Sequence, residues 1–116
     1  MSLLIEHPDV CDFFAYLRLK NLSSRTIAEY KWLLNKFFNS CLSQVTMPAD
    51  VTFEHLRNYI AGLQARRLSS KTVNDRVIIL KRLFGYLLGE GRVASDPTQR
   101  LPISNPQSVY GFLHAQ

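Results

Sequence analysis

Apolar residues recur along this chain at intervals of three and four, the period of a helix with one buried face. Val10, Phe13, Phe14 and Leu17 form a first stripe, and Pro8 suits an early helical position, so the pattern predicts a helix from about Pro8 to Lys20. A short connection at Asn21 and Leu22 leads to a second stripe, Ile27, Tyr30, Leu34, Phe37 and Phe38. Ser23 or Ser24 is its cap, and its end lies near Cys41. Residues 43–51, with Met47-Pro48-Ala49-Asp50, read as a loop. Thr52 then caps a third helix running to about Arg66, with Phe53, Leu56, Tyr59, Ile60 and Leu63 inward. Gly62 costs that helix about 1 kcal/mol against alanine unless close packing uses it. Ser69 or Ser70 caps a fourth helix whose inward set is Val73, Val77, Leu80, Phe84, Leu87 and Leu88. Gly89 and Gly91 are expected to end it by accepting a left-handed conformation. No strand period is present. The predicted fold is all-α, four helices in two crossed hairpins.

The polar positions repeat as well as the apolar ones. Leu22-Ser-Ser-Arg-Thr-Ile27 returns as Leu68-Ser-Ser-Lys-Thr-Val73, an offset of 46 from residue 22 to residue 68. Leu34/Leu80, Phe38/Phe84 and Leu42/Leu88 are identical at that offset, and Glu29/Asp75 and Lys36/Arg82 keep their chemical type. Ahead of the repeat, Val10/Leu56, Phe13/Tyr59, Phe14/Ile60 and Leu17/Leu63 stay in step. Two amphipathic helices share apolar spacing by chance; they do not readily share a Ser-Ser-basic-Thr element. The chain therefore offers two helix N-termini of one design to an extended anionic partner.

A length of 116 residues suits one domain with a single core. Hydrophobic and charged fractions of 47% and 20% are ordinary for a globular protein. No apolar run approaches the roughly 20 residues that span a bilayer, and no basic-then-apolar leader pattern opens the chain, so a cytoplasmic location and no membrane partner are expected. Cys11 and Cys41 sit among apolar residues at helical spacing and are expected to be buried free thiols. His7, His55 and His114 lack partner ligands at useful spacing, so neither a metal nor a cofactor is expected.

Charge sharpens the picture. Residues 66–82 hold Arg66, Arg67, Lys71, Arg76, Lys81 and Arg82 against Asp75, a net +5 that equals the surplus of the whole chain. Such a stretch fits a polyanion, and charge alone does not separate that from a solvated helix face. The Ser-Ser-basic-Thr elements add to it. Capping explains the serines, but a cation in the first turn works against the helix dipole by roughly 0.3–1 kcal/mol. An anion seated there would use the free N–H groups, the hydroxyls and the cation together. On the fourth helix Asn74, Ile78, Lys81 and Arg82 are expected to face away from the core, with Asn74 reaching a base edge and Lys81 a phosphate. On the second, Arg25, Glu29, Lys31, Trp32, Asn35 and Lys36 face outward, and Trp32 is expected to pack partly over the hairpin junction. Glu29 and Asp75 read as local helix pairing with the basic residues. No Gly-rich phosphate loop, paired-histidine motif or Cys-His arrangement is present, and Tyr110 and His114 stand in the tail without partners.

Beyond Arg92 the texture changes. Pro97, Pro102 and Pro106 make residues 92–106 an extended strap, and 107–116 read as a short docking helix or the stub of a removed segment. The ordered set LSSRTIAEYKWLLNKFF, VTFEHLRNYIAGL, LSSKTVNDRVIILKRLFGYLL and DPTQRLP resembles the N-terminal core-binding domain of tyrosine recombinases, the phage-type integrases and Xer-like resolvases, over roughly residues 8–102. That resemblance implies a four-helix, SAM-like bundle forming half of a clamp on duplex DNA. It implies DNA contact from Ser24, Arg25, Thr26, Lys31, Ser70, Lys71, Thr72, Asn74, Arg76 and Lys81. Residues 1–91 would be the binding domain, and 92–116 a linker and tail toward a C-terminal catalytic domain of the same polypeptide. Other recombinase protomers in a synaptic complex would be further partners. No His-x-x-Arg element of that catalytic domain occurs in these 116 residues, so the chain itself is not expected to be an enzyme. Two readings stay beside it: a helical interaction module docking an acidic protein partner, and a stand-alone regulator occupying recombination sites.

Overall fold

The structure, a computed structural model, describes residues 4–41 and 45–103. Four helices account for most of them: α1 (Pro8–Leu19), α2 (Ser24–Cys41), α3 (Phe53–Ala65) and α4 (Ser70–Gly89). Two short 3-10 turns, Leu4–Glu6 and Pro48–Asp50, precede α1 and α3. No strand occurs among the described residues. The predicted all-α architecture and the helix starts agree with these bounds to within a residue. The segment 107–116, including Tyr110 and His114, lies outside the described residues.

Local chemistry sets each boundary. At α1 the Asp9 N–H donates to His7 Nδ1 at 3.1 Å, and Pro8 occupies the first turn, where a missing N–H is harmless. Thr52 and His55 cap α3 reciprocally, His55 N–H to Thr52 Oγ1 at 3.2 Å and Thr52 N–H to His55 Nδ1 at 3.0 Å. α1 and α3 end in the same way. Asn21 and Arg67 take left-handed backbone, with φ of 64° and 60°. Behind them the Leu22 N–H reaches back to the Leu17 carbonyl and the Leu68 N–H to that of Leu63, at 3.2 and 3.4 Å. Each bond satisfies a carbonyl that the helix end would otherwise leave unpaired. α4 stops through the same motif, with Gly91 at φ 71° and the Arg92 N–H on the Leu87 carbonyl at 2.8 Å. Gly89, expected to share that role, is the last residue of the helix instead.

The core gathers Val10, Phe13, Phe14 and Leu17 of α1 with Ile27, Leu34, Phe37 and Phe38 of α2, Leu56, Tyr59 and Leu63 of α3, and Val73, Val77, Leu80, Phe84 and Leu87 of α4. Burying each large side chain contributes roughly 1.5–3 kcal/mol before conformational entropy is set against it. α4 touches all three other helices, which makes its buried face wide: Ile79 and Leu83 join the expected stripe. Leu88 departs from expectation, 43% exposed near the C-terminal end. Cys11 is exposed rather than buried, because α1 packs through one face only and residue 11 lies beside it; its thiol approaches the Glu6 carbonyl at 3.6 Å. The side chain of Cys41 lies outside the description. Leu4 is a core residue ahead of the first predicted helix.

Over its described residues, 92–103, the strap is turned rather than extended. Asp96 accepts from the Thr98 N–H at 2.8 Å and the Thr98 hydroxyl at 2.6 Å, and the Leu101 N–H closes on the Thr98 carbonyl at 3.0 Å. That folds Val93 and Leu101 onto the core. Arg92 reaches Asp9 Oδ1 at 3.1 Å and Asp12 Oδ2 at 2.7 Å, clasping the end of α4 to the start of α1. The hydrogen bond to Asp12 is the main cause that holds Arg92 above its ordinary pKa.

Candidate nucleic-acid interface

The duplicated sequence becomes duplicated geometry at the starts of α2 and α4. Ser23 Oγ accepts from the Thr26 N–H at 3.1 Å and donates to Thr26 Oγ1 at 3.0 Å; Ser69 and Thr72 repeat both bonds at 3.1 and 3.0 Å. Of the two serines in each element, the first therefore caps. The second, Ser24 or Ser70, opens the helix with an exposed hydroxyl, and its N–H and that of the following basic residue lie in the unpaired first turn. Thr26 and Thr72 are tied into the caps, while among the described residues Ser24, Arg25 and Ser70 are free to meet an anion and Lys71 is engaged only in an exposed pair.

The cations differ in how far the protein already uses them. Arg25 is exposed and makes no ion pair among the described residues. Lys71 pairs with Asp75 at 3.0 Å, as its spacing predicted, but at 83% and 51% side-chain exposure that pair is worth little. Lys31 stands 5.3 Å over the Phe14 ring and borders an open cavity of 350 Å³ beside Arg18, Asn21 and Ser24. Further along α4 each cation is bonded to a group of the fold. Arg76 donates to the Tyr59 hydroxyl at 2.9 Å, Lys81 to the Thr98 carbonyl at 2.8 Å, and Arg82 to the Tyr30 hydroxyl at 2.6 Å.

Two placements correct the expectation for α4. Asn74 is buried, 7% exposed, rather than turned toward a base edge. The helix is packed on several sides, so the face opposite its main stripe is narrower than one period suggests. Lys81 and Ile78 are half-buried for the same reason, and Lys81 tethers the strap. Trp32 packs partly, as expected: it is 55% exposed, with cations of α2 and α4 against its ring. Lys36 Nζ lies 4.7 Å from its ring centroid and the Arg76 guanidinium 5.9 Å. The Trp32/Lys36 contact has i, i+4 spacing within α2; the Arg76 contact, between helices, has no spacing signal.

A second open cavity, 490 Å³, runs between α1 and α4, bordered by Tyr16, Lys20, Lys81, Arg82 and Tyr86, with Gly85 among its lining residues. The Tyr16 and Tyr86 rings lie 4.8 Å apart. Among the described residues no cluster of three or more His, Cys, Asp or Glu could hold a metal ion, and no helix is long and apolar enough to cross a membrane.

Comparison with known proteins points in the same direction as this geometry. The family model described as "Phage integrase, N-terminal SAM-like domain" matches residues 10–91, which takes in all four helices but for two residues of α1. A tyrosine recombinase XerC of Roseiflexus sp. is 34% identical over 83 residues, covering 71% of this chain and 26% of the relative. That of Roseiflexus castenholzii is 36% identical with the same coverage. A tyrosine recombinase XerD of Rickettsia bellii is 23% identical over 87 residues, 75% of this chain and 28% of the relative. The chain thus spans about a quarter of the length of these relatives. No solved structure matches it.

Proposed function

The chain belongs to the phage integrase N-terminal SAM-like domain family, and from that premise we propose that it is a non-catalytic duplex-DNA-binding domain of a site-specific recombinase. One observation carries the reading: the same serine-capped helix start, with a basic residue in its first turn, is built twice at matching distances. Each start takes a phosphate through the N–H groups of residues 24–25 or 70–71, the Ser24 or Ser70 hydroxyl and the Arg25 or Lys71 cation. Two such points fix the bundle on the sugar–phosphate backbone as one half of a clamp. Residues 1–91 form the binding unit and 92–116 the linker, with Val93 and Leu101 folded back on the bundle. Strand cleavage and rejoining belong to a catalytic domain outside these residues, and neighbouring protomers assemble with it at the recombination site.

Titration with a random-sequence duplex tests this. With about four phosphates neutralised, log affinity should fall against log salt with a slope near −3.6, roughly 10²-fold between 50 and 200 mM. Neither nicking nor a covalent protein–DNA adduct should form. Salt-insensitive binding, or binding to an acidic protein alone, would remove the reading.

A further inference from the structure

The described residues leave one large aromatic ring exposed between two cations, and nothing inside the fold accounts for it. Trp32 is the single tryptophan of the chain and is 55% exposed on α2. Lys36 sits one turn further along the same helix and Arg76 comes from α4, itself fixed by the Tyr59 hydroxyl. The ring is thus oriented by both hairpins and covered by them only in part. Arg25, Glu29, Trp32 and Lys36 fall at i, i+4, i+7 and i+11, one exposed ridge that begins at the α2 N-terminus. Seven residues at 1.5 Å each place Trp32 about 10 Å along the axis from Arg25. A major groove is about 12 Å wide, so a helix whose first turn rests on a phosphate brings a group two turns on over the groove. The cations on either side suit phosphate. The indole suits an apolar groove edge, and in the major groove that edge is the thymine C5-methyl.

We propose that Trp32, oriented by Lys36 and Arg76, enters the major groove as an apolar contact that favours thymine, a specificity-determining residue of the interface. The proposal rests on the DNA-binding reading above. It adds a base-dependent contact that the phosphate-seating helix starts do not supply.

Because Trp32 is the only indole, its fluorescence reports this one position. The experiment titrates the full chain with a 20-base-pair alternating A·T duplex, and with the same duplex carrying deoxyuridine for thymidine, which removes only the methyl groups. Expected are quenching of Trp32 on saturation and about fourfold weaker binding to the uracil duplex. W32A should bind the thymine duplex roughly tenfold more weakly, with an unchanged salt slope and no difference between duplexes. W32F keeps an apolar ring and should retain part of the methyl dependence, which separates lost contact from lost fold. Binding without quenching, or an equal methyl dependence in W32A, overturns the inference and leaves the DNA-binding reading standing. Quenching with no methyl dependence in the wild type overturns the thymine contact. Quenching by poly-glutamate that competes with duplex overturns it in favour of an acidic protein partner. Failure of the wild-type chain to bind either duplex removes the DNA-binding reading itself.

Discussion

The starts of α2 and α4 share a cap to within a tenth of an ångström, yet they present charge differently. At α2, Arg25 stands alone at the surface and Trp32 and Lys36 continue the exposed ridge. At α4, Lys71 leans on Asp75, while Arg76, Lys81 and Arg82 are drawn onto two phenols and a carbonyl. The second half holds the charge surplus of the whole sequence, yet three of its cations are already bonded within the fold. Formal charge along a segment and charge offered to a partner are therefore separate quantities. A cation hydrogen-bonded to a tyrosine or a carbonyl is already oriented, and a phosphate must compete for it or share it.

The comparison can be strained from the interior outward. Leu17 and Leu63 hold equivalent places at the ends of α1 and α3, each 3% exposed. Leu17→Ala and Leu63→Ala should each cost about 2–4 kcal/mol in urea unfolding, and similar losses would confirm equivalent packing. A difference above about 2 kcal/mol would show that the halves are alike only in their caps. Lys81→Ala should come next. It leaves the Thr98 carbonyl without its charged donor and should lower stability by about 1.5–3 kcal/mol while the DNA salt slope barely moves. Arg25→Ala is its mirror, with stability nearly unchanged and the slope flattened by about one. If the two variants exchange these behaviours, the division between engaged and free cations is wrong.

Caps and surface pairs give the finer tests. Ser23→Ala and Ser69→Ala should each cost about 1 kcal/mol, since each removes one acceptor from a first-turn N–H. Thermal melts that separate them by more than that amount would break the symmetry of the two starts. Smallest of all is Asp75→Asn. Loss of the exposed pair with Lys71 should change stability by about 0.3–0.5 kcal/mol, and DNA affinity should rise modestly as a like charge leaves the phosphate's neighbourhood. A fall in affinity would mean that Asp75 positions Lys71 rather than competing for it.

Much of this was legible in the sequence because it is written over short distances. A cap needs four residues, a helix stop six, and an apolar stripe three turns; Thr52 as a cap, and Ser69 or Ser70 as another, could be read before any packing was known. The misread residues depend on neighbours far along the chain. Asn74 falls off the main α4 stripe, yet α4 is surrounded by three helices and buries residues that a two-sided helix would expose. Leu4 lies in a three-residue turn, too short to display a period. The strap was read from its prolines, which exclude helix but do not forbid the turn that Asp96 stabilises. The phenol bonds of Arg76 and Arg82 span 17 and 52 residues, and no spacing rule reaches that far. The Ser-Ser-basic-Thr elements were found because they recur, and their role as paired starts follows from local rules alone.

The clasp of Arg92 on Asp9 and Asp12 has a consequence in time. Each corner from Leu17 to Thr26, or Leu63 to Thr72, closes within ten residues, so its loop entropy is small and its contacts can form on the fast scale of helix formation. The clasp joins residues 83 and 80 positions apart, and the local stop at Gly91 positions Arg92 but not its carboxylate partners. Corners should assemble first and the clasp last, and opening should run in reverse. Native-state hydrogen exchange would record the amides of residues 92–101 as the first to lose protection, well before those of α2 and α4. The bundle would then stay folded while the path of the chain leaving α4 comes loose, a degree of freedom held by the Arg92 clasp together with the Lys81 tether and the packing of Val93 and Leu101.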